Sequence, residues 1–209
     1  RRQPGRETFT DVLYIAFASL PDRATRIAVE AAGVLLLTMW SASATTLSTS
    51  SLIAHAALAF VISDLGKYAI HRASHYRAWL WPFHMAHHQP ASLSSLNALR
   101  LHAVNTAYNA AIDTLPLVLL GVPVAVGAVL ATVRATIGIV QHANLDLDAG
   151  KQWMVNAPSY HRIHHAVDVS VANHNFASSL LVWDRLFGTL QRGPAPTAVG
   201  ITAPSHRVP

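Results

Sequence analysis

A chain of 209 residues, 52% hydrophobic and only 12% charged, has room for one domain and lies on the apolar side of soluble proteins, whose charged share is about 25%. Its net charge of +5 comes from Lys and Arg scattered without a dense basic run, which argues against a nucleic-acid partner and fits anionic lipid headgroups. The lack of cysteine excludes disulfides, thiolate metal sites, iron–sulfur clusters and cysteine nucleophiles, so any metal must take nitrogen and oxygen ligands.

The chain opens Arg1-Arg2-Gln3-Pro4 without an initiator Met, as expected of a fragment whose first membrane segment is missing. From Ala31 to Ser63 no Asp, Glu, Lys or Arg occurs, and a membrane span needs about 20 apolar residues. The polar patch Ser41 to Ser51 divides this stretch into Ile27–Trp40 and Leu52–Ile62, short runs that suit a tight helical hairpin or one partly embedded helix. A further uncharged stretch, Thr114 to Val133, is interrupted by Pro116, Gly121 and Pro123. It reads either as one kinked span or as a re-entrant pair of half-helices.

The polar segments Lys67 to Asn105 and Gln141 to Arg192 hold most of the 13 histidines. Their Lys and Arg content places them on the cytoplasmic side by the positive-inside rule. Residues 1–192 are expected to form one membrane-bound domain, and the Pro-, Ala- and Thr-rich tail 193–209 to be disordered.

Three histidine clusters stand out. In His71-Arg72-Ala73-Ser74-His75 the i, i+4 spacing puts both imidazoles on one helix face, one turn apart. His84-Met85-Ala86-His87-His88 and His161-Arg162-Ile163-His164-His165 repeat one pattern, in which the first His meets both later ones across a turn. Consecutive imidazoles diverge by about 100° on a helix, so such a pair suits two metal ions. A lone buried His is ordinarily a packed side chain, but burying this many imidazoles without a metal is costly at a membrane boundary. The ligand number exceeds what one zinc needs and suits two iron ions, with zinc as a substitute in purified protein. The Glu-x-x-His pairs of soluble di-iron bundles are absent.

These residues resemble the fatty acid hydroxylase and sterol desaturase superfamily. Asp64-Leu65-Gly66-Lys67-Tyr68-Ala69-Ile70-His71-Arg72-Ala73-Ser74-His75 is similar to its D-x-x-x-Y-x-x-H-R-x-x-H signature, and Leu80-Trp81-Pro82-Phe83-His84-Met85-Ala86-His87-His88 resembles its W-x-F-H-x-x-H-H. Asn97 to His102, Gln141-His142-Ala143-Asn144, Ser159 to His165 and Trp183-Asp184-Arg185-Leu186-Phe187-Gly188-Thr189 resemble further motifs in the family's order, so the resemblance covers 64–189. It implies an all-α integral-membrane bundle with a cytosol-facing helical cap carrying a His-rich dinuclear metal site. It also implies O2-dependent hydroxylation or desaturation of an unactivated C–H bond in a fatty acyl, sterol or related lipid. Electrons would come from a ferredoxin, cytochrome b5-like or flavin reductase partner. By motif position His71, His75, His84, His87, His88, His142, His161, His164 and His165 inherit the ligand roles.

Asp64, Asp168 and Asp184 are candidates to balance the metal charge or orient a ligand through its free N–H. Ala103 and Asn105 stand where many members have Pro and Glu, which argues against His102 as a ligand and against a ligand-orienting role for that turn. A membrane metal carrier would use the same histidines without chemistry. It would, however, place polar groups within the spans, whereas the clusters lie beside them.

Overall fold

The computed structural model describes residues 4–41, 48–145 and 154–201. Among them the regular elements are helices, and extended pairing is limited to two isolated bridges. The chain runs through α1 (Pro4–Leu13), a π-turn (Tyr14–Ala18), α2 (Leu20–Ser41), α3 (Thr49–Tyr76), α4 (Trp81–His88), a 3-10 turn (Ser95–Leu99), α5 (Ala103–Leu119), α6 (Val124–Gln141), α7 (Pro158–His164), α8 (Val169–Ala172) and α9 (Val182–Leu186).

Local chemistry sets these boundaries. The side chain of Ser48 accepts from Ser51 N at 3.3 Å and starts α3, which ends where Arg77 turns extended. Pro82 and Pro158 occupy first-turn positions of α4 and α7, where a missing N–H costs nothing. His102 caps α5 by accepting from Val104 N at 3.1 Å.

The uncharged Thr114–Val133 stretch corrects one of the two sequence expectations. It is not one kinked span but two helical pieces, the end of α5 and the start of α6, joined by a tight turn. Gly121 adopts φ +64°, a conformation favourable only without a Cβ, and Val122 N donates to Leu117 O at 2.9 Å. Pro116 lies inside α5, which continues to Leu119.

α3, with 28 residues, and α6, with 18, are long and apolar enough to cross a membrane. Only 17% and 6% of their most apolar windows are buried inside the molecule, so they are not core helices of a water-soluble fold. Ile53, Leu58, Val61 and Ile62 on α3 and Val129, Val133 and Ile139 on α6 are exposed, a surface matched to hydrocarbon. α2 reaches 22 residues, but Asp22, Arg23, Arg26 and Glu30 occupy its first half. Only its second half is uncharged.

α2 lies along α5, and α3 also packs against α5. At the first contact a Cβ added to Gly33 would overlap Thr114 Cγ2, a close approach that the absence of a side chain permits. Beyond the ends of α3 and α6 the polar cap has a small apolar core of Ala157, Tyr160, Ala177 and Leu181. Of the tail expected to be disordered, the described part through Ile201 returns to this cap. There Val167 N donates to Ala198 O at 3.1 Å and Gly200 N to His165 O at 3.0 Å; residues 202–209 lie outside the described residues.

Candidate metal centre

Four elements deliver imidazoles to one buried spot. The last two turns of α3 carry His71 and His75, α4 carries His84, His87 and His88, His142 is the C-cap of α6, and α7 with its C-cap carries His161, His164 and His165. These side chains form two groups, each with its ligand atoms within 4.8 Å of one another. The first is His71, His75, His84, His88 and His164; the second is His87, His142, His161 and His165.

The grouping follows helix geometry. His84 and His88, one turn apart on α4, join the first group, and His161 and His165, one turn apart on α7, join the second. His87 and His164 each cross to the group that their own helix does not otherwise serve. The two groups abut where the rings of His88 and His165 stack, 4.2 Å between centroids.

Hydrogen bonds set which nitrogen faces inward. His71 Nδ1 donates to Phe176 O at 2.8 Å, His142 Nδ1 to Gly138 O at 2.7 Å and His164 Nδ1 to His174 O at 2.9 Å. A backbone carbonyl only accepts, so in these rings Nδ1 carries the proton and Nε2 offers a lone pair. His75 Nδ1 lies 3.2 Å from Asn173 Oδ1, and His84 Nδ1 lies 3.1 Å from Asn105 Oδ1. Burial holds His87, His161, His164 and His165 well below the usual imidazole pKa, neighbouring imidazoles adding to the effect. Burial also lowers His142 to about 4. At neutral pH these rings are uncharged donors.

The donor set fits metal ions. His142 Nε2 lies 3.1 Å from His87 Nε2 and 2.9 Å from His161 Nε2, and His88 Nε2 lies 3.0 Å from His84 Nε2 and 3.2 Å from His75 Nε2. Nitrogens bound at ~2.1 Å in neighbouring octahedral positions stand roughly 3.0 Å apart. His71 Nε2 is buried without a hydrogen-bond partner, an atom that a cation would satisfy.

The carboxylates expected to orient ligands do other work. Asp64 accepts from Leu180 N at 3.0 Å and Trp183 Nε1 at 2.9 Å, tying α3 to the cap. Asp168 is exposed and caps α8 by accepting from Ser170 N. Asp184 accepts from Phe176 N at 2.8 Å, Ala177 N at 2.9 Å and Thr189 Oγ1 at 2.7 Å. It therefore reaches His71 only through the Phe176 residue. Three backbone carbonyls and two asparagines hold five of the nine imidazoles instead, and a carbonyl leaves no mark in sequence. Asn105, which the sequence argued out of such a role, holds His84 and also accepts from Tyr108 Oη. His55 and His102 lie outside both groups, and His206 lies outside the described residues.

A cavity of about 670 Å³ opens beneath the imidazoles, lined at its head by His71, His84, His87, His142 and His161. Gly127, Ala128, Ala131, Ala135 and Gly138 line it along one face of α6. Their small side chains leave room for a chain-like ligand.

The model of the family described as fatty acid hydroxylase matches residues 56–189. Ornithine lipid hydroxylase OlsE of Rhizobium tropici is 36% identical over 148 residues, 69% of this chain and 45% of that protein. Alkylglycerol monooxygenase of Danio rerio is 34% identical over 148 residues, 70% of this chain and 33% of that protein. Cholesterol 25-hydroxylase of Rattus norvegicus is 26% identical over 147 residues, 69% of this chain and 49% of that protein. The matched region thus spans less than half the length of each relative. No solved structure gives a significant match.

Proposed function

We propose that this chain, which belongs to the fatty acid hydroxylase family, holds two iron ions among its clustered imidazoles and uses O2 to hydroxylate an unactivated C–H bond of a lipid. The observation that carries this reading is the placement of two all-imidazole groups at the head of a chain-sized cavity. His71, His75, His84, His88 and His164 would hold one ion, and His87, His142, His161 and His165 the other. Neutral imidazoles suit iron, zinc, copper and nickel. Iron is favoured by the hydroxylase and monooxygenase activities named for the relatives. Bound there, iron would supply the O2 activation that breaking such a C–H bond requires.

The protein's own part is to orient and to exclude. Phe176 O, Gly138 O, His174 O, Asn105 and Asn173 fix ring orientation and tautomer, while the cavity walls hold the substrate carbon beneath the imidazoles and keep water from it. Hydroxylation places one oxygen atom of O2 in the product and reduces the other to water, consuming two electrons and two protons. The electrons come from an external donor such as a ferredoxin, cytochrome b5-like protein or flavin reductase. The exposed cap residues Arg77, Arg185 and Arg192 suit an acidic electron carrier.

Orientation follows from charge. Arg72, Arg77, Arg100, Arg162, Arg185 and Arg192 lie on the cap side of α3 and α6, whereas Ser48 and the turn Leu120–Pro123 at their other ends carry no charge. The positive-inside rule then puts the cap on the cytoplasmic face.

The test is the protein purified in detergent from iron-supplemented cells, assayed for metal by mass spectrometry and incubated with host lipid extract, a reductase system and isotopically labelled O2. We expect about two metal ions per chain, iron prominent, and a lipid product carrying one labelled oxygen. Tightly held metal with no O2 consumption would indicate a metal-binding protein or carrier instead.

A further inference from the structure

The cavity beneath the imidazoles contains a second polar feature that metal binding does not use. Lys67 on α3, Asp113 on α5 and Arg134 on α6 all line it. Lys67 Nζ lies 2.6 Å from Asp113 Oδ2, and Arg134 Nη1 is paired with Asp113 Oδ1. Arg134 Nη2 donates to Phe60 O at 2.6 Å, and its guanidinium carbon stands 4.4 Å from the centre of the Phe60 ring.

Two cations here share one carboxylate, and they stand on the two helices suited to cross a membrane. One positive charge is left over at the wall of the cavity. The remaining charged residues of the lining, Asp22, Arg23, Arg26 and Glu30, are two acids and two bases and do not offset it. The side chain of Arg134 is only 8% exposed, and its buried Nε has no hydrogen-bond partner. A cluster that served only to clamp helices would need one cation for Asp113. A second one adds desolvation cost that no second carboxylate of the lining offsets.

We propose that Lys67 and Arg134, held apart by Asp113, bind the anionic oxygen group of the lipid that occupies the cavity, a carboxylate or a phosphate. The inference rests on the reading of this cavity as the substrate chamber and narrows the substrate class to anionic lipids. It also bears on position. Lys67 precedes His71 by one turn of α3 and Arg134 precedes His142 by two turns of α6, a rise of roughly 6 and 12 Å. The carbon presented to the imidazoles is therefore only several bonds from the anionic group.

The test is equilibrium binding of hexadecanoate, hexadecyl phosphate and hexadecanol to the metal-loaded full chain in neutral detergent micelles, without O2. We expect at least one of the anions to bind about tenfold or more tightly than the alcohol, and the tighter of the two identifies carboxylate or phosphate. Lys67→Met removes the preference at unchanged metal content. Asp113→Asn, which removes the competing carboxylate, strengthens it. Equal binding of all three ligands by the unaltered protein overturns the proposal, and that comparison needs no variant to fold. A preference undiminished in well-folded Lys67→Met overturns it as well. Because binding is read without turnover, failure of the oxygenase reading appears separately, as an absent labelled product beside an intact anion preference.

Discussion

Asn105 Oδ1 lies 3.1 Å from His84 Nδ1 and at the same time accepts from Tyr108 Oη, whose oxygen stands 3.3 Å from Ser74 Oγ. One amide oxygen thus joins the imidazole of α4 to α5, and through Tyr108 to α3. Asn105→Leu leaves the His84 N–H and the Tyr108 hydroxyl without this acceptor, at a cost of about 1–3 kcal/mol for each unsatisfied buried group. It also frees the ring to rotate, and loss of such a partner lowers metal affinity about 10–100-fold. Asn105→Asp keeps the acceptor and should retain metal. Metal titration of the two variants checks this; equal affinity in Asn105→Leu and the parent would show that the amide does not position His84.

Asp184 makes a related prediction by a longer route. Its carboxylate takes the N–H groups of Phe176 and Ala177, and the carbonyl of Phe176 takes the Nδ1 proton of His71. Hydrogen bonds to a charged group contribute about 1.5–3 kcal/mol each. Asp184→Ala should lower the melting temperature markedly and loosen His71 as well, so metal content falls with stability. Asp184→Asn, which keeps one acceptor oxygen, should fall between. Full metal content in folded Asp184→Ala would separate the cap from the metal centre.

The helical spacing within each histidine cluster is legible in the sequence, because i, i+3 and i+4 neighbours share a face whatever the tertiary fold. The exchange of His87 and His164 between groups is not legible, since it depends on how α4 faces α7. Acidic residues were the natural candidates for orienting ligands, but backbone carbonyls of Gly138, His174 and Phe176 hold the rings. Any residue type offers such a carbonyl. The break at Pro116, Gly121 and Pro123 is legible, but the ends of α5 and α6 are not, because an apolar turn needs no polar residues, only Gly121 at positive φ. Lys67, Asp113 and Arg134 come from three helices, and no local pattern joins them.

The α2–α5 contact gives a prediction whose sign decides it. Replacing Gly by Ala inside a helix ordinarily stabilises by about 1 kcal/mol. At Gly33 the new methyl overlaps Thr114 Cγ2, and overpacking costs about 1–3 kcal/mol. Gly33→Ala should therefore destabilise, and Thr114→Ala in the same chain should restore or exceed the parent stability. Thermal unfolding in detergent of the two single variants and the double variant measures the coupling. A stabilised Gly33→Ala would mean that the helices stand farther apart.

Acid should act on the metal-free protein through the same burial that prepares the imidazoles for metal. His142 titrates at about 4 when folded, against about 6.5 in an unfolded chain, and burial shifts His87, His161, His164 and His165 in the same direction. Between these two values the unfolded chain binds more protons than the folded one, so stability rises with pH across that window. For His142 that contribution is fully present above about pH 6.5 and is lost as pH falls toward about 4, and the other four lose theirs in the same direction. Below the folded value both states are protonated and the loss levels off. Bound metal holds the rings deprotonated, so loading should move the acid transition to lower pH. Melting temperatures of metal-free and metal-loaded protein from pH 7.5 to 4.5 test both parts. A metal-free protein whose stability is flat across that range would mean that these imidazoles are hydrated rather than buried, and the dry, preformed metal centre would have to be abandoned.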